Sequence, residues 1–154
     1  MSPFVGTDTY AIDHKGRISI PPSLRVVGPG RRPLTTFYLN MGFDGCVAIY
    51  SPDEWTRMMT RLRRVSTTNL RARNFRRAFM QDARQVTVDA QGRIPIPPAL
   101  IRRAALGKDA VLHGAEDHIE IWNPERYQAL LATVTEVPGE YERLAAEFME
   151  DEEK

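Results

Sequence analysis

The stretch Asp13-His-Lys-Gly-Arg-Ile-Ser-Ile-Pro-Pro-Ser-Leu24 returns later in the chain as Asp89-Ala-Gln-Gly-Arg-Ile-Pro-Ile-Pro-Pro-Ala-Leu100. A second correspondence links residues 47–55 with residues 119–127. Each copy of an internal repeat is one supersecondary unit that needs its neighbour to bury an apolar face. The sequence therefore predicts a tandem of two similar units that share one core.

The repeat sets the expected domain organisation. At 154 residues, the length is that of one ordinary domain. We predict a single domain over residues 1–154, with repeat 1 and its basic helices at 4–82. Repeat 2 and a C-terminal helix are expected at 83–149, followed by an acidic tail at 150–154.

Each copy of the phrase has the pattern of a β-hairpin. Asp13 and Gly16 stand at the first and fourth turn positions, which is typical of a type I turn closed by a glycine at positive φ. Alternation along the following strand puts Ile18 and Ile20 on one face and Arg17 on the other. Both units are therefore expected to present an arginine beside a hairpin turn, opposite a pair of core isoleucines.

The proline pairs that follow each hairpin are expected to stop the strand and start a short helix, because proline fixes φ and lacks an N–H. The expected short helices span 24–27 and 99–106, ending near Gly28 and Gly107; the other expected strands lie at 36–39, 46–50, 110–112 and 118–122. A longer helix is expected from Pro52 and is interrupted at residues 66–69. A second helix should then run to about Asp82, and a further helix is expected after Gly139. Each unit thus has the order β-β-α-β-β-α, which predicts an α+β protein.

The formal net charge of +1 hides two oppositely charged segments. Residues 56–84 contain nine arginines against Asp82 alone, whereas residues 136–154 contain eight acidic residues against Arg143 and Lys154. Such asymmetry indicates a polyanionic partner or a neighbouring subunit. Because the arginines are spread around both basic helices, we favour subunit contacts and general attraction of DNA over base reading.

The repeated Asp-x-x-Gly-Arg-Ile-x-Ile-Pro-Pro phrase resembles the AbrB/MazE/MraZ superfamily of swapped-hairpin DNA-binding proteins, and two copies in one chain are similar to the MraZ family. Over residues 4–148, the resemblance implies a pseudo-twofold swapped-hairpin (double-split) β-barrel with peripheral helices. It also implies a transcriptional regulator, usually a repressor of its own bacterial division and cell-wall operon. Such a protein binds short tandem G-containing repeats of promoter double-stranded DNA as a ring-shaped homo-oligomer, in the cytoplasm at the nucleoid.

The resemblance also implies a set of DNA-contacting residues, which are Asp13, Lys15, Gly16 and Arg17 in the first copy and Asp89, Gly92 and Arg93 in the second. An arginine on a hairpin rim can donate two hydrogen bonds to guanine in the major groove, whereas Lys15 suits a phosphate. His14, on the same turn, is interpreted as a phosphate neighbour. Asp13 either makes the turn or holds Arg17 in place, and the sequence leaves both roles open.

Two alternatives remain for the paired arginines. Arg17 and Arg93 could instead close the barrel through ion pairs between subunits. The second copy has Gln91 where the first has Lys15, so it carries less charge toward phosphate. We therefore predict that the first hairpin reads DNA and that the second is the scaffold copy, with Arg93 as a further candidate contact.

Other chemistries find little support in the sequence. His113 and His118 lie among acidic residues, but their spacing fits no strong metal template, so no metal or cofactor is expected. We find neither a nucleophile paired with a base nor a phosphate-binding glycine loop, which argues against an enzyme with a small-molecule substrate. No apolar run is long enough to cross a bilayer, and the single Cys46 suits a reducing cytoplasm. An antitoxin-like protein-binding module on the same barrel is the alternative function.

Overall fold

The structure is a computed structural model that describes residues 3–25 and 33–150. The chain divides into two compact units, Met1–Asn123 and Pro124–Lys154. The expected end of the first short helix, at Val27 and Gly28, and the acidic tail beyond Glu150 lie outside the described residues.

The first unit contains all the strands that the structure describes. They are β1 (Thr7–Ala11), β2 (Arg17–Ser19), β3 (Thr36–Met41), β4 (Val47–Tyr50), β5 (Arg84–Thr87), β6 (Arg93–Pro95), β7 (Asp109–Gly114) and β8 (Ile119–Trp122). Its α-helices are α1 (Pro52–Arg63), α2 (Leu70–Met80) and α3 (Pro98–Arg103). The predicted α+β class is confirmed, with an antiparallel sheet as its main β component.

Six of these strands form one antiparallel sheet in the order β1-β7-β8-β4-β3-β5. The order reads the same from both ends when each strand is exchanged for its counterpart in the other repeat. The first strand of each repeat pairs with the third strand of the other repeat, since β1 pairs with β7 and β5 with β3. The two repeats therefore build one sheet together, and neither forms it alone.

The remaining strands, β2 and β6, pair with each other as a separate two-stranded ribbon. Ile18 lies opposite Ile94 in this ribbon, and both are fully buried. Ile20 and Ile96 are buried in the same core, together with Leu100. The predicted isoleucine faces are thus confirmed, and isoleucines from both repeats belong to one hydrophobic cluster.

The short helices differ from the expectation. Residues Pro22–Leu24 form a single 3-10 turn, in which Arg25 donates its amide to the Pro22 carbonyl at 3.0 Å. The second helix, α3, ends at Arg103 and does not reach residue 106, because Ala105 takes a positive φ of 53° before Gly107 is reached. A single non-glycine residue in the left-handed region therefore ends this helix.

The helices α1 and α2 each begin after a residue whose side chain caps the helix. The Ser51 hydroxyl accepts a hydrogen bond from the Glu54 amide, and the Asn69 side chain accepts one from the Ala72 amide. Trp55 of α1 stacks on Tyr38 of β3 with ring centroids 5.2 Å apart, which fixes α1 against the sheet.

The second unit consists of helices α4 (Pro124–Thr135) and α5 (Glu140–Met149). On α5, the Arg143 guanidinium donates to Glu140 at 2.6 Å and to Glu147 at 3.2 Å. Over the described parts of both units, no helix combines the length and apolar character that a membrane span needs.

Candidate nucleic-acid interface

The first hairpin turn is organised by Asp13. Its Oδ1 accepts hydrogen bonds from the backbone amides of Lys15 and Arg17, each at 2.9 Å. Its Oδ2 accepts from Arg17 Nε at 2.8 Å. The Asp13 carbonyl accepts from the Gly16 amide at 2.9 Å, and Gly16 has the predicted positive φ of 75°. Asp13 therefore makes the turn and holds the Arg17 guanidinium at the same time.

The second turn repeats this arrangement around Asp89. Its Oδ1 accepts from the amides of Gln91 and Arg93 at 2.9 Å each, and its Oδ2 accepts from Arg93 Nε at 3.0 Å. One partner is added, because the Gln91 side chain accepts a hydrogen bond from Arg93 Nη2 at 3.2 Å. The residue that replaces the first copy's lysine thus holds the second copy's arginine.

The ribbon brings the two turns together. Arg93 Nη1 lies 3.5 Å from Asp13 Oδ2, the oxygen that also accepts from Arg17. The Arg17 and Arg93 side chains are 27% and 28% exposed. The two hairpins therefore form one continuous surface, on which the arginines of both repeats are equally accessible.

The turn carboxylates are held in their ionised form. The backbone amide of Arg17, followed by its guanidinium, lowers the pKa of Asp13 to about 2. The pKa of Asp89 is lowered chiefly by the amide of Arg93 in the equivalent position. Each arginine therefore keeps a charged partner at any pH near neutrality.

The other predicted DNA-binding residues lie on the first turn itself. His14 and Lys15 are exposed, and Gly16 is half-buried between them and the strand. The Lys15 ammonium group is thus available to an anion at the turn tip, while Arg17 stands at the start of the strand. The sequence-predicted residues of the first copy are brought together, and Arg93 joins them from the second copy.

Several residues around the turns were missed by the sequence reasoning. Arg25 donates from Nε to the Ile20 carbonyl at 2.9 Å, and its guanidinium lies against Gly92 of the second turn. Arg84 and Gln85 of β5 line a cleft together with the first turn. Their position depends on the pairing of β5 with β3, which no local sequence pattern signals.

The arginine side chains of α1 and α2 form hydrogen bonds with residues that are close to them in sequence. Arg57 pairs with Glu54 one turn away, and Arg77 donates to Asn74 at 2.9 Å. Arg73 and Arg76 donate to the carbonyls of Thr67 and Val65 in the segment between the helices. The bonds of Arg73 and Arg76 tie α2 to the segment that precedes it.

His118 belongs to a separate polar cluster. Its Nδ1 lies 2.6 Å from Asp117 Oδ1 and its Nε2 lies 2.9 Å from Glu120 Oε2. The hydrogen bond to Glu120, with that to Asp117, raises the pKa of His118. Within residues 3–25 and 33–150, no group of three or more His, Cys, Asp or Glu side chains is arranged to hold a metal ion.

Comparison with known proteins identifies the repeat. The family described as "MraZ protein, putative antitoxin-like" matches twice, over residues 4–78 and 79–149. A protein of Thermomicrobium roseum named transcriptional regulator MraZ is 38% identical over 145 residues, covering 92% of this chain and 97% of the relative.

Two further relatives carry the same name. The protein of Heliobacterium modesticaldum is 40% identical over 125 residues, covering 80% of this chain and 83% of its own length. The protein of Clostridium tetani is 33% identical over 147 residues, covering 96% of this chain and 97% of its own length. With both repeats matched and relatives at this identity over most of their length, the chain belongs to the MraZ family.

Proposed function

We propose that this chain is a sequence-specific DNA-binding transcriptional regulator that represses its own division and cell-wall operon. It binds short tandem repeats of promoter double-stranded DNA, in the cytoplasm at the nucleoid. The name transcriptional regulator, carried by relatives that align over most of their length, supports the general class. DNA binding is assigned to Asp13, Lys15, Gly16 and Arg17, with His14 and Arg93 beside them.

The shared approach of Arg17 and Arg93 to Asp13 is the observation that carries the proposal. Two guanidinium groups meet at one carboxylate oxygen on an accessible surface, and Asp89 also pairs with Arg93. The two aspartates balance the charge of the two arginines, and the exposed Lys15 on the adjoining turn adds the cation that favours an anionic partner. A hairpin rim of this kind also suits the major groove, which admits a two-stranded β-ribbon.

The geometry of Arg17 supports base reading. Asp13 engages only its Nε, and among the described residues no hydrogen bond occupies its two Nη atoms. These atoms can donate to guanine O6 and N7, a pairing that contributes about 1–3 kcal/mol of discrimination. Lys15 on the exposed turn suits a phosphate, which sets the register without reading sequence.

The swapped-hairpin barrel is part of the same proposal, with repeats at 4–82 and 83–149 of a single domain. Its support is the exchange of strands between repeats and two hydrogen bonds that cross between them. Ile20 donates its amide to the Gly92 carbonyl at 2.9 Å, and Ile96 donates to the Gly16 carbonyl at 2.8 Å. Each hairpin turn is thereby tied to the strand end of the other repeat.

A ring-shaped homo-oligomer is the proposed binding form. Phe75 of α2 is 47% exposed and lines an apolar groove of about 200 Å³ with Met58, Leu62 and Phe79. The surrounding arginines complement the acidic residues 136–154 of a second copy. Because one hairpin binds weakly, several linked subunits would reach useful affinity through effective concentrations of about millimolar.

The deciding experiment measures binding to the chain's own upstream region across a salt series. Wild type is expected to prefer this duplex over a scrambled one, with an affinity that falls steeply as salt rises. Arg17→Ala should abolish the preference and leave the oligomer's molar mass unchanged, whereas Phe75→Ser should lower that mass in light scattering. A wild-type protein with a shallow salt dependence and no preference would remove the proposal.

The second candidate is an antitoxin-like module that binds a protein partner. The description of the matched family favours it, as do the exposed side chains of Tyr141, Phe148 and Met149 on α5. This function predicts co-purification of a small protein at fixed stoichiometry together with no DNA affinity at low salt. DNA binding that depends on Arg17 would instead support the regulator.

A further inference from the structure

An open cleft of about 540 Å³ runs alongside the first hairpin turn. Its polar lining comes from His14, Lys15 and Gly16 of the turn and from Arg84 and Gln85 of β5. Its apolar lining is formed by Val86, Pro95, Ile96, Pro97, Pro98 and Ile101. None of these lining residues is acidic, so the cleft combines cationic side chains with an apolar surface.

We propose that this cleft binds the sugar–phosphate backbone of the duplex that Arg17 reads, with Arg84 and Lys15 as the cationic side chains that bind a phosphate. The inference rests on the proposed function and assigns a residue, Arg84, that lies far from the first copy of the repeated phrase in sequence. A deoxyribose-phosphate unit has an apolar sugar face and an anionic phosphate. The two surfaces of the cleft match these two chemistries.

Arg84 is prepared for this role. Its Nη1 donates to the Ala83 carbonyl at 2.8 Å and to the Gln81 carbonyl at 3.4 Å, which steadies the side chain without neutralising it. Within the described residues no carboxylate pairs with Arg84, in contrast to Arg17 and Arg93. The guanidinium therefore keeps its full charge and can bind a phosphate through its other nitrogens.

The position of the cleft follows from the fold. Arg84 begins β5, an edge strand of the six-stranded sheet, and Lys15 lies two residues before Arg17 on the facing turn. A DNA backbone that passes the turn while Arg17 binds a base edge is adjacent to the cleft. Phosphate binding of this kind fixes the protein's register on the duplex and carries no sequence information.

The test compares Arg84→Gln with Arg143→Gln, which removes the same charge from an exposed arginine of α5 that does not line the cleft. The slope of log affinity against log salt is negative, and for Arg84→Gln its magnitude should decrease by about 0.9, the value for one phosphate that is no longer neutralised. Affinity for the operator and for a scrambled duplex should fall by the same factor, so that their ratio is unchanged. Arg143→Gln should leave the slope at the wild-type value.

A second readout identifies the phosphate. Single neutral methylphosphonates are placed along the operator backbone, and the one that weakens wild-type binding most should have no further effect on Arg84→Gln. An unchanged slope for Arg84→Gln, or an equal decrease of its magnitude in Arg143→Gln, would overturn the cleft assignment. Those outcomes leave the proposed function standing, whereas a wild-type protein without DNA affinity would remove the function itself.

Discussion

Arg93 of the second repeat reaches Asp13 of the first, with Arg93 Nη1 3.5 Å from Asp13 Oδ2. The reverse pair, from Arg17 to Asp89, is not among the ion pairs of the described residues. Asp13 therefore pairs with two arginines, while Asp89 pairs with the arginine of its own turn. The two copies of the phrase are alike in backbone and unequal in the connections of their carboxylates.

This inequality predicts different effects for two matched substitutions. Asp13→Asn keeps an oxygen that can accept the amides of Lys15 and Arg17, but removes the charge that orients Arg17 and Arg93. We expect its ratio of specific to scrambled-duplex affinity to fall by about tenfold, the effect of one charged hydrogen bond. Asp89→Asn should lower the ratio less. Competition mobility shifts measure both ratios.

Non-specific affinity is the internal control for that comparison. Removing a negative charge beside a phosphate-binding surface should leave scrambled-duplex affinity unchanged or raise it. A parallel loss of specific and non-specific binding in Asp13→Asn would mean that the turn is disrupted. Equal ratios for Asp13→Asn and Asp89→Asn would contradict the unequal roles of the carboxylates.

Protonation of Asp13 in acid should remove the stability that its ionised carboxylate contributes to the folded state. The amide and guanidinium of Arg17 lower the pKa of Asp13 to about 2, below its unfolded value of about 3.9. A lowered folded-state pKa contributes stability that is present above the unfolded pKa and is lost as pH falls toward the folded one. The free energy of unfolding of wild type should therefore exceed that of Asp13→Asn at pH 5. Urea titrations between about pH 4 and 2 should show the two converging.

The hairpin glycine has its own prediction. A Cβ at Gly16 would lie 3.1 Å from Ile101 Cδ1, and its φ of +75° is unfavourable for an L-residue. Gly16→Ala should destabilise the fold by about 1–2 kcal/mol, the usual cost of the left-handed region. Gly107→Ala is the matched control, because its Cβ meets nothing within 4 Å and its φ is not positive. Similar melting temperatures for both variants would contradict the strained-turn argument.

Local features of the hairpins could be predicted because they depend on neighbours in sequence. The Asp13 and Gly16 turn positions and the buried Ile18 face both follow from spacing within a few residues. The end of α3 at Arg103 could not be predicted, because the positive φ of Ala105, a non-glycine residue, has no simple sequence signal.

The pairings between the repeats could not be predicted either. The pairing of β2 with β6 and the approach of Arg93 to Asp13 join residues that are distant along the chain. Gln91 illustrates the limit: its missing charge relative to Lys15 is visible in the sequence, but its hydrogen bond to Arg93 depends on the conformation of the turn. Sequence similarity between the copies thus conceals their different partners.

The cluster around His118 predicts a pH dependence on the basic side of neutrality. Hydrogen bonds to Glu120 first and to Asp117 raise the pKa of His118 in the folded state. A raised pKa contributes stability that is fully present below the unfolded value of about 6.5 and is lost as pH rises through the folded one. Wild type should therefore be more stable than His118→Gln at about pH 6, and this difference should shrink at higher pH.

Two measurements check this prediction together. Urea unfolding of wild type and His118→Gln from about pH 6 to 9 gives the difference in unfolding free energy, and NMR titration of the ring protons gives the His118 pKa directly. Glu120→Gln keeps an oxygen for the Trp122 indole, which donates to Glu120 at 2.9 Å, but removes the main cause of the shift. It should lower the His118 pKa and shift the pH at which the stability difference disappears to a lower value. An unaltered titration in Glu120→Gln would show that this carboxylate does not control the charge of His118.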